Sequence, residues 1–251
     1  MFGNTPEPLA RENHRALAAL CGYAGPVRAG AARPLGPDSR GARSAPEPLP
    51  EASRFLAAGP GPWRVVALGP LTNLAAAILA APTVAGQVAE VVCVGSNGRS
   101  RGRWPPWWPF EFNLTLDRRA TRVVFESRLP LVLVPLDVAR RLTVTPADLA
   151  AIPGALGDHL RRHSWRWFRR AAFLRGRRVF PVWDLVAALW VVEPGLFTVE
   201  RTVARLHRNG WLEHAGGTRP VTVVRSFDPG RAWRRFLSLT ARAPGASAPG
   251  P

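Results

Sequence analysis

Three places in this 251-residue chain put polar groups where an α/β protein does chemistry. The first is the corner VVALGPLTNLAAAILAAP, from Val65 to Pro82. Its apolar start, Val65 to Leu68, suits a buried strand. Gly69 and Pro70 break the run, Thr72 or Asn73 can cap the helix that follows, and Pro82 stops that helix. A strand turning tightly into a helix leaves backbone groups at the strand's carboxyl end, where open α/β sheets bind ligands. The second place is Glu111-Phe112-Asn113, just before a helix that Asp117 opens. Two polar side chains flanking one aromatic can hold hydroxyl groups or face solvent in a loop, and the residues alone leave both readings open. The third is Trp183-Asp184, ahead of the apolar stretch LVAALWVV. An Asp at a helix start is a good N-cap, the role its position favours on its own. The Trp183 indole cannot serve as a general acid, but it can stack on a planar ring.

The elements that must position these groups alternate. The expected order is helix 6–21, strand 26–29, helix 48–57, strand 63–68, helix 72–80, strand 89–95, helix 117–127 and strand 130–136. Helices 146–151, 157–173 and 184–190, strands near 198–207 and 220–226, and a final helix 231–240 complete it. Leu129 to Leu136 is apolar enough for a central parallel strand. Such alternation predicts an α/β fold with a mostly parallel central sheet and helices on both faces. Residues 1–240 read as one domain, and residues 241–251 as a low-complexity tail expected to be disordered.

A hydrophobic content of 47% suits a domain with a sizeable core. No apolar run approaches the roughly 18 residues of a membrane-spanning helix, and the first residues lack a basic-then-apolar leader pattern. Cys21 and Cys93 are too few for a disulfide framework, so a cytoplasmic setting and packed thiols are expected. The net charge of +17 comes from Arg alone, without Lys. Those arginines are spread along the chain, so nucleic acid is not the expected partner, and no membrane partner is expected. The densest group, RRHSWRWFRRAAFLRGRR from Arg161 to Arg178, reads as a solvated helix face, with phosphate or a membrane surface as the alternative. The Trp-rich segment 104–109 could cover a ligand or pack on a neighbouring subunit, so self-association is possible. The five histidines show no metal-ligand spacing and read as surface residues. Walker and zinc-finger patterns are missing from the sequence.

Several segments, in order along nearly the whole chain, resemble the nucleoside hydrolase family, the calcium-dependent, inosine-uridine preferring N-ribohydrolases. They are FGNTP, GPVRAGAARPL, GPLTNLA, EFNLTLDRRATRVVFES, LPLVLVPLDV, WDLVAALWVVEPGLF and TRPVTVVRSFDP. The resemblance implies hydrolysis of a ribonucleoside to ribose and free base. It implies that the Leu68 backbone carbonyl and Asp184 derive from calcium ligands. It also implies that Asn4, Glu111 and Asn113 hold the ribose; Trp183, at the position next to Asp184, can stack on the base. Three departures stand out. The family's D-x-D-x-x-x-D-D cluster, which holds calcium and positions the attacking water, occurs nowhere in the 251 residues. Trp183 stands where many members place a His that protonates the leaving base, and Ser96 replaces the second glycine of M-G-G. The expectation is therefore a nucleoside-hydrolase-like fold lacking its first N-terminal elements, no retained general base, and weak or absent calcium binding. A catalytically inactive relative that binds a nucleoside-like ligand or a protein partner is the alternative.

Overall fold

The computed structural model describes residues 5–36, 44–96, 112–176, 178–208, 210–214 and 216–241. Its first half runs α1 (Glu7–Leu20), α2 (Glu51–Ala58), β1 (Trp63–Ala67), α3 (Thr72–Ala80), α4 (Val84–Gln87), β2 (Val88–Val94), α5 (Phe112–Thr115), α6 (Arg118–Glu126) and β3 (Leu131–Val134). After α7 (Leu136–Ala139) come β4 (Thr143–Val144), α8 (Pro146–Ala150), α9 (Gly154–Arg175), β5 (Phe180–Pro181) and α10 (Trp183–Val192). Then follow β6 (Phe197–Leu206), β7 (Leu212–Glu213), β8 (Arg219–Phe227) and α11 (Pro229–Thr240).

Six strands form the main sheet in the order β1-β2-β3-β8-β6-β7. The first four are mutually parallel, whereas β6 runs antiparallel to β8 and to β7. Side chains alternate faces along a strand, and the two central strands are apolar on both. Val91 and Cys93 of β2, with Leu131 and Leu133 of β3, pack into one core with α3 and α6. Val92, Val94, Val132 and Val134 enter a second core with α7, α10 and α11. The sequence runs VVCV and LVLV thus read as strands covered by helices on both sides, as expected of a parallel sheet.

The differences from the sequence reading have local causes. Residues 26–29 are not a strand. The Ala29 carbonyl accepts from Ala52 N–H (2.8 Å), and Ala29 N–H donates to the Glu51 carboxylate (3.1 Å), so this backbone is tied to the start of α2. Strand β3 stops at Val134 because Pro135 has no N–H for the ladder, and residues 136–139 coil into α7. Thr72 and Asn73 do not cap α3 through their side chains. Thr72 Oγ1 instead donates to Asp117 (2.7 Å), and Asn73 Oδ1 accepts from Ala31 N–H (2.7 Å). Cys93 is buried and Cys21 half-buried. No described helix is long and apolar enough to cross a membrane.

Candidate functional site

Strand register fixes the first two parts of the site. Ala67 pairs with Cys93, which sets Leu68 beside Val94 where both strands end. Leu68 is 42% exposed, so this position opens to solvent rather than into the core. Asn113, on α5, donates through Nδ2 to the Val94 carbonyl (2.9 Å), which ties α5 to the carboxyl end of β2.

Helix α10 brings the third part. Trp190 Nε1 donates to Glu90 near the start of β2 (3.3 Å), while Val182 N–H, just ahead of α10, donates to the Leu142 carbonyl (2.9 Å) beyond α7 at the carboxyl end of β3, so α10 runs back along the sheet antiparallel to β2. From Trp190 to Asp184 is about 9 Å of helix, and from Glu90 to Val94 about 13 Å of strand. The amino end of α10 therefore reaches toward the carboxyl edge, on the side of Leu68 and Val94. Val182 is the N-cap residue, and no side chain caps the helix. Asp184 does not fill the capping role that its position alone favoured. Part of it faces solvent while protein crowds its carboxyl, and burial pushes that carboxyl up to about 6. A carboxyl lifted by desolvation, with no compensating cation among the described residues, suits a site that receives a positive or hydrogen-bonding group. Trp183, 38% exposed, lies immediately before it.

A polar pair that sequence spacing did not reveal closes the back of this edge. Ser96 Oγ is hydrogen-bonded to His214 Nε2, and both residues are buried. His214 is therefore not the surface residue that its spacing suggested. It comes from the β6–β8 connection, which folds back so that Gly210 sits against Leu114 and Thr115. Burial, assisted by Arg225, lowers the imidazole to about 4 against the opposing pull of Asp137 and Glu200, so it is neutral at pH 7. Ser96 has a φ of 63°, a conformation that glycine adopts freely and serine only at a cost. That backbone accounts for a glycine at this place in the family pattern, and the hydrogen bond to His214 offsets the strain. The Ser96 carbonyl also accepts from Leu136 N–H (3.0 Å), joining the loops after β2 and β3.

Leu68, Asn113 and the Trp183-Asp184 pair are thus set at one edge of the sheet. Asn4, Glu111 and the 104–109 segment lie outside the described residues, as does the 242–251 tail.

A stability prediction follows from Asp184. Its carboxyl is raised above the unfolded value of 3.8, so the folded state holds the proton more tightly. The resulting destabilisation is absent below about pH 4, grows as pH rises toward 6 and is complete above it. Asp184→Asn should therefore be more stable than the parent at pH 7, by about 1 kcal/mol after allowance for the solvent-facing part of the side chain. The two proteins should melt alike at pH 4. Equal melting at both values would remove the desolvation argument.

This architecture is that of nucleoside hydrolases. A plant nucleoside hydrolase, PpNRh1, superposes with a TM-score of 0.79 at 22% identity, over 96% of this chain and 89% of the other. The purine-preferring ribonucleoside hydrolase from Gardnerella vaginalis gives a TM-score of 0.76 at 18% identity, over 96% and 87%. At these identities the likeness is one of fold. In sequence, the chain is 32% identical over 165 residues to the non-specific ribonucleoside hydrolase RihC of Salmonella enteritidis, covering 65% of this chain and 51% of the relative. The chain thus spans about half the length of the curated relatives it matches. The family description "inosine-uridine preferring nucleoside hydrolase" matches residues 1–234. The chain belongs to that family.

Proposed function

We propose that this protein acts on ribonucleosides, and that its reaction is hydrolysis of the N-glycosidic bond to ribose and free base. The observation that carries this reading is that Asn113, the Leu68 strand end and the amino end of α10, with the desolvated Asp184 carboxyl and the Trp183 indole, come to one sheet edge. Asn113, with Glu111 and Asn4, would hold the ribose hydroxyls. Trp183 would lie against the base.

Calcium would activate water and grip the sugar diol in such a reaction. The residues present do not fit it. The Leu68 carbonyl and Asp184 offer two oxygen donors against the about 6–8 that calcium takes. Among the described residues no three His, Cys, Asp or Glu side chains cluster as a metal site. We therefore assign no catalytic step to calcium. The same shortage of carboxylates favours a second reading, a relative that binds ribonucleosides without turning them over. In either case one domain over residues 1–240, in the cytoplasm, is the unit we propose.

Titration calorimetry with inosine and with ribose tests the site. Aromatic stacking on a base contributes on the order of 1–3 kcal/mol. Trp183→Ala should therefore weaken inosine binding by about tenfold or more and leave ribose binding unchanged. Equal inosine affinity in the two proteins would place the base elsewhere.

A further inference from the structure

The long helix α9 has a face that the ribonucleoside site does not use. Its inner stripe, Leu156, Leu160 and Phe168, packs with Val144, Leu149, Ile152 and Phe236. That packing fixes which side points outward. The outward side is not a simple solvated face. On it Phe173 is 89% exposed and Trp165 48%; Trp167, 60% exposed, leaves the helix on the side of Leu160, away from this face. Solvent offers no reason to keep large rings uncovered on one face, and clustered exposed apolar groups mark contact surfaces.

The charge of this face narrows the partner. From His159 to Arg178 the sequence contains no Asp or Glu and eight arginines. The one acidic side chain earlier on the helix, Asp158, pairs with Arg161 at its base (2.5 Å). Arg162, Arg166, Arg169 and Arg170 are exposed beside the rings. On a helix of 3.6 residues per turn, Arg162, Trp165, Arg166, Arg169 and Phe173 fall within about a third of the circumference. The partner must therefore be anionic and must accept apolar rings. A second copy of the chain fails the first requirement, since two such faces repel.

We propose that the outer face of α9 docks the protein on an anionic lipid surface. The Arg169 guanidinium lies 5.0 Å from the centre of the Trp165 ring and that of Arg166 6.0 Å from it. Those cations occupy the ring's surroundings, which disfavours base stacking, whereas paired indole and guanidinium groups suit the headgroup layer. The helix spans 22 residues, about 33 Å, and Trp165, Arg166, Arg169, Arg170 and Phe173 line a shallow open hollow on its outer side, wide enough for headgroups to enter. Phosphate-bearing headgroups would meet the arginines, and Phe173 and the Trp165 ring would enter the acyl boundary, as in helices that lie in the interface plane.

Co-sedimentation of the full chain with vesicles tests this, using pure phosphatidylcholine and phosphatidylcholine mixed with phosphatidylserine. The chain should sediment with the mixed vesicles and not with the pure ones. Replacing Arg166, Arg169 and Arg170 together by Ala should weaken binding about a hundredfold. A charge-matched control, Arg33, Arg54 and Arg201 together to Ala, should change it by less than about fivefold. Equal losses in the two triple variants would show charge without a site and overturn the proposal. Brominated lipids supply a readout that needs no variant: they should quench tryptophan fluorescence of the unaltered chain, and absence of quenching would equally overturn it. Tight binding of a single-stranded oligonucleotide, with no binding to mixed vesicles, would replace the lipid partner by nucleic acid.

Discussion

Asp117→Ala is expected to destabilise the fold by about 3–5 kcal/mol. The Asp117 carboxylate is 2% exposed. It caps α6 by accepting from Ala120 N–H (2.9 Å), and it accepts from Leu35 N–H (2.9 Å) and Thr72 Oγ1 (2.7 Å). It therefore joins the loop before α2, the start of α3 and the start of α6, the helices that cover one face of the sheet. Removing it deletes a cap worth about 1 kcal/mol. It also leaves buried donors without an acceptor, and each bond to a charged group contributes about 1.5–3 kcal/mol. For a domain of this size the melting temperature should fall by roughly 10 °C. Asp117→Asn retains an acceptor oxygen and should cost less than half as much. A melting temperature within about 2 °C of the parent would show that this junction is not a determinant of the fold.

The second large effect is on turnover. The 251-residue chain should release ribose from inosine or uridine about a thousandfold more slowly than the same chain joined to an upstream segment carrying D-x-D-x-x-x-D-D. Loss of a positioned base alone removes about a hundred- to ten-thousandfold of rate. Trp183 gives no proton to the leaving base. In the extended protein Asp184→Ala should abolish turnover, because a cation site built on the new carboxylates still draws on this one. Reducing-sugar assays on the three proteins read the result. Comparable rates in the short and extended chains would mean that the catalytic groups lie among the 251 residues. An inert extended chain would favour the ligand-binding reading.

Most of the sheet and its covering helices could be read from local pattern. The runs VVCV and LVLV carry two-faced burial in four residues each, and Pro135 marks where β3 ends. PVRA at 26–29 has strand-like residues yet forms no strand, because its backbone partners lie in α2, more than twenty residues onward. The junction at Asp117 was invisible for the same reason: Leu35 and Thr72 are 82 and 45 residues away. Asp117 read only as the residue opening a helix. His214 is buried because its loop folds back over α5, and nothing local in the sequence marks that fold-back. Trp183-Asp184 and Leu68 gained their meaning from the family resemblance. The chain geometry that supports it is the antiparallel run of α10 past β2, a tertiary feature.

The central claim is that a ribonucleoside rests on the carboxyl edge between Asn113 and the Trp183-Asp184 helix end. Titration of nitrogen-labelled protein with inosine, followed by resonance shifts, tests it most directly, with the Trp183 indole signal identified by its loss in Trp183→Phe. The account predicts saturable shifts of the Trp183 Nε1–H and the Asn113 Nδ2 amide, with the indoles of Trp165 and Trp167 unmoved. Shifts confined to α9, or to the open cavity beside Arg15 and Tyr23 on α1 and the loop after it, would contradict it.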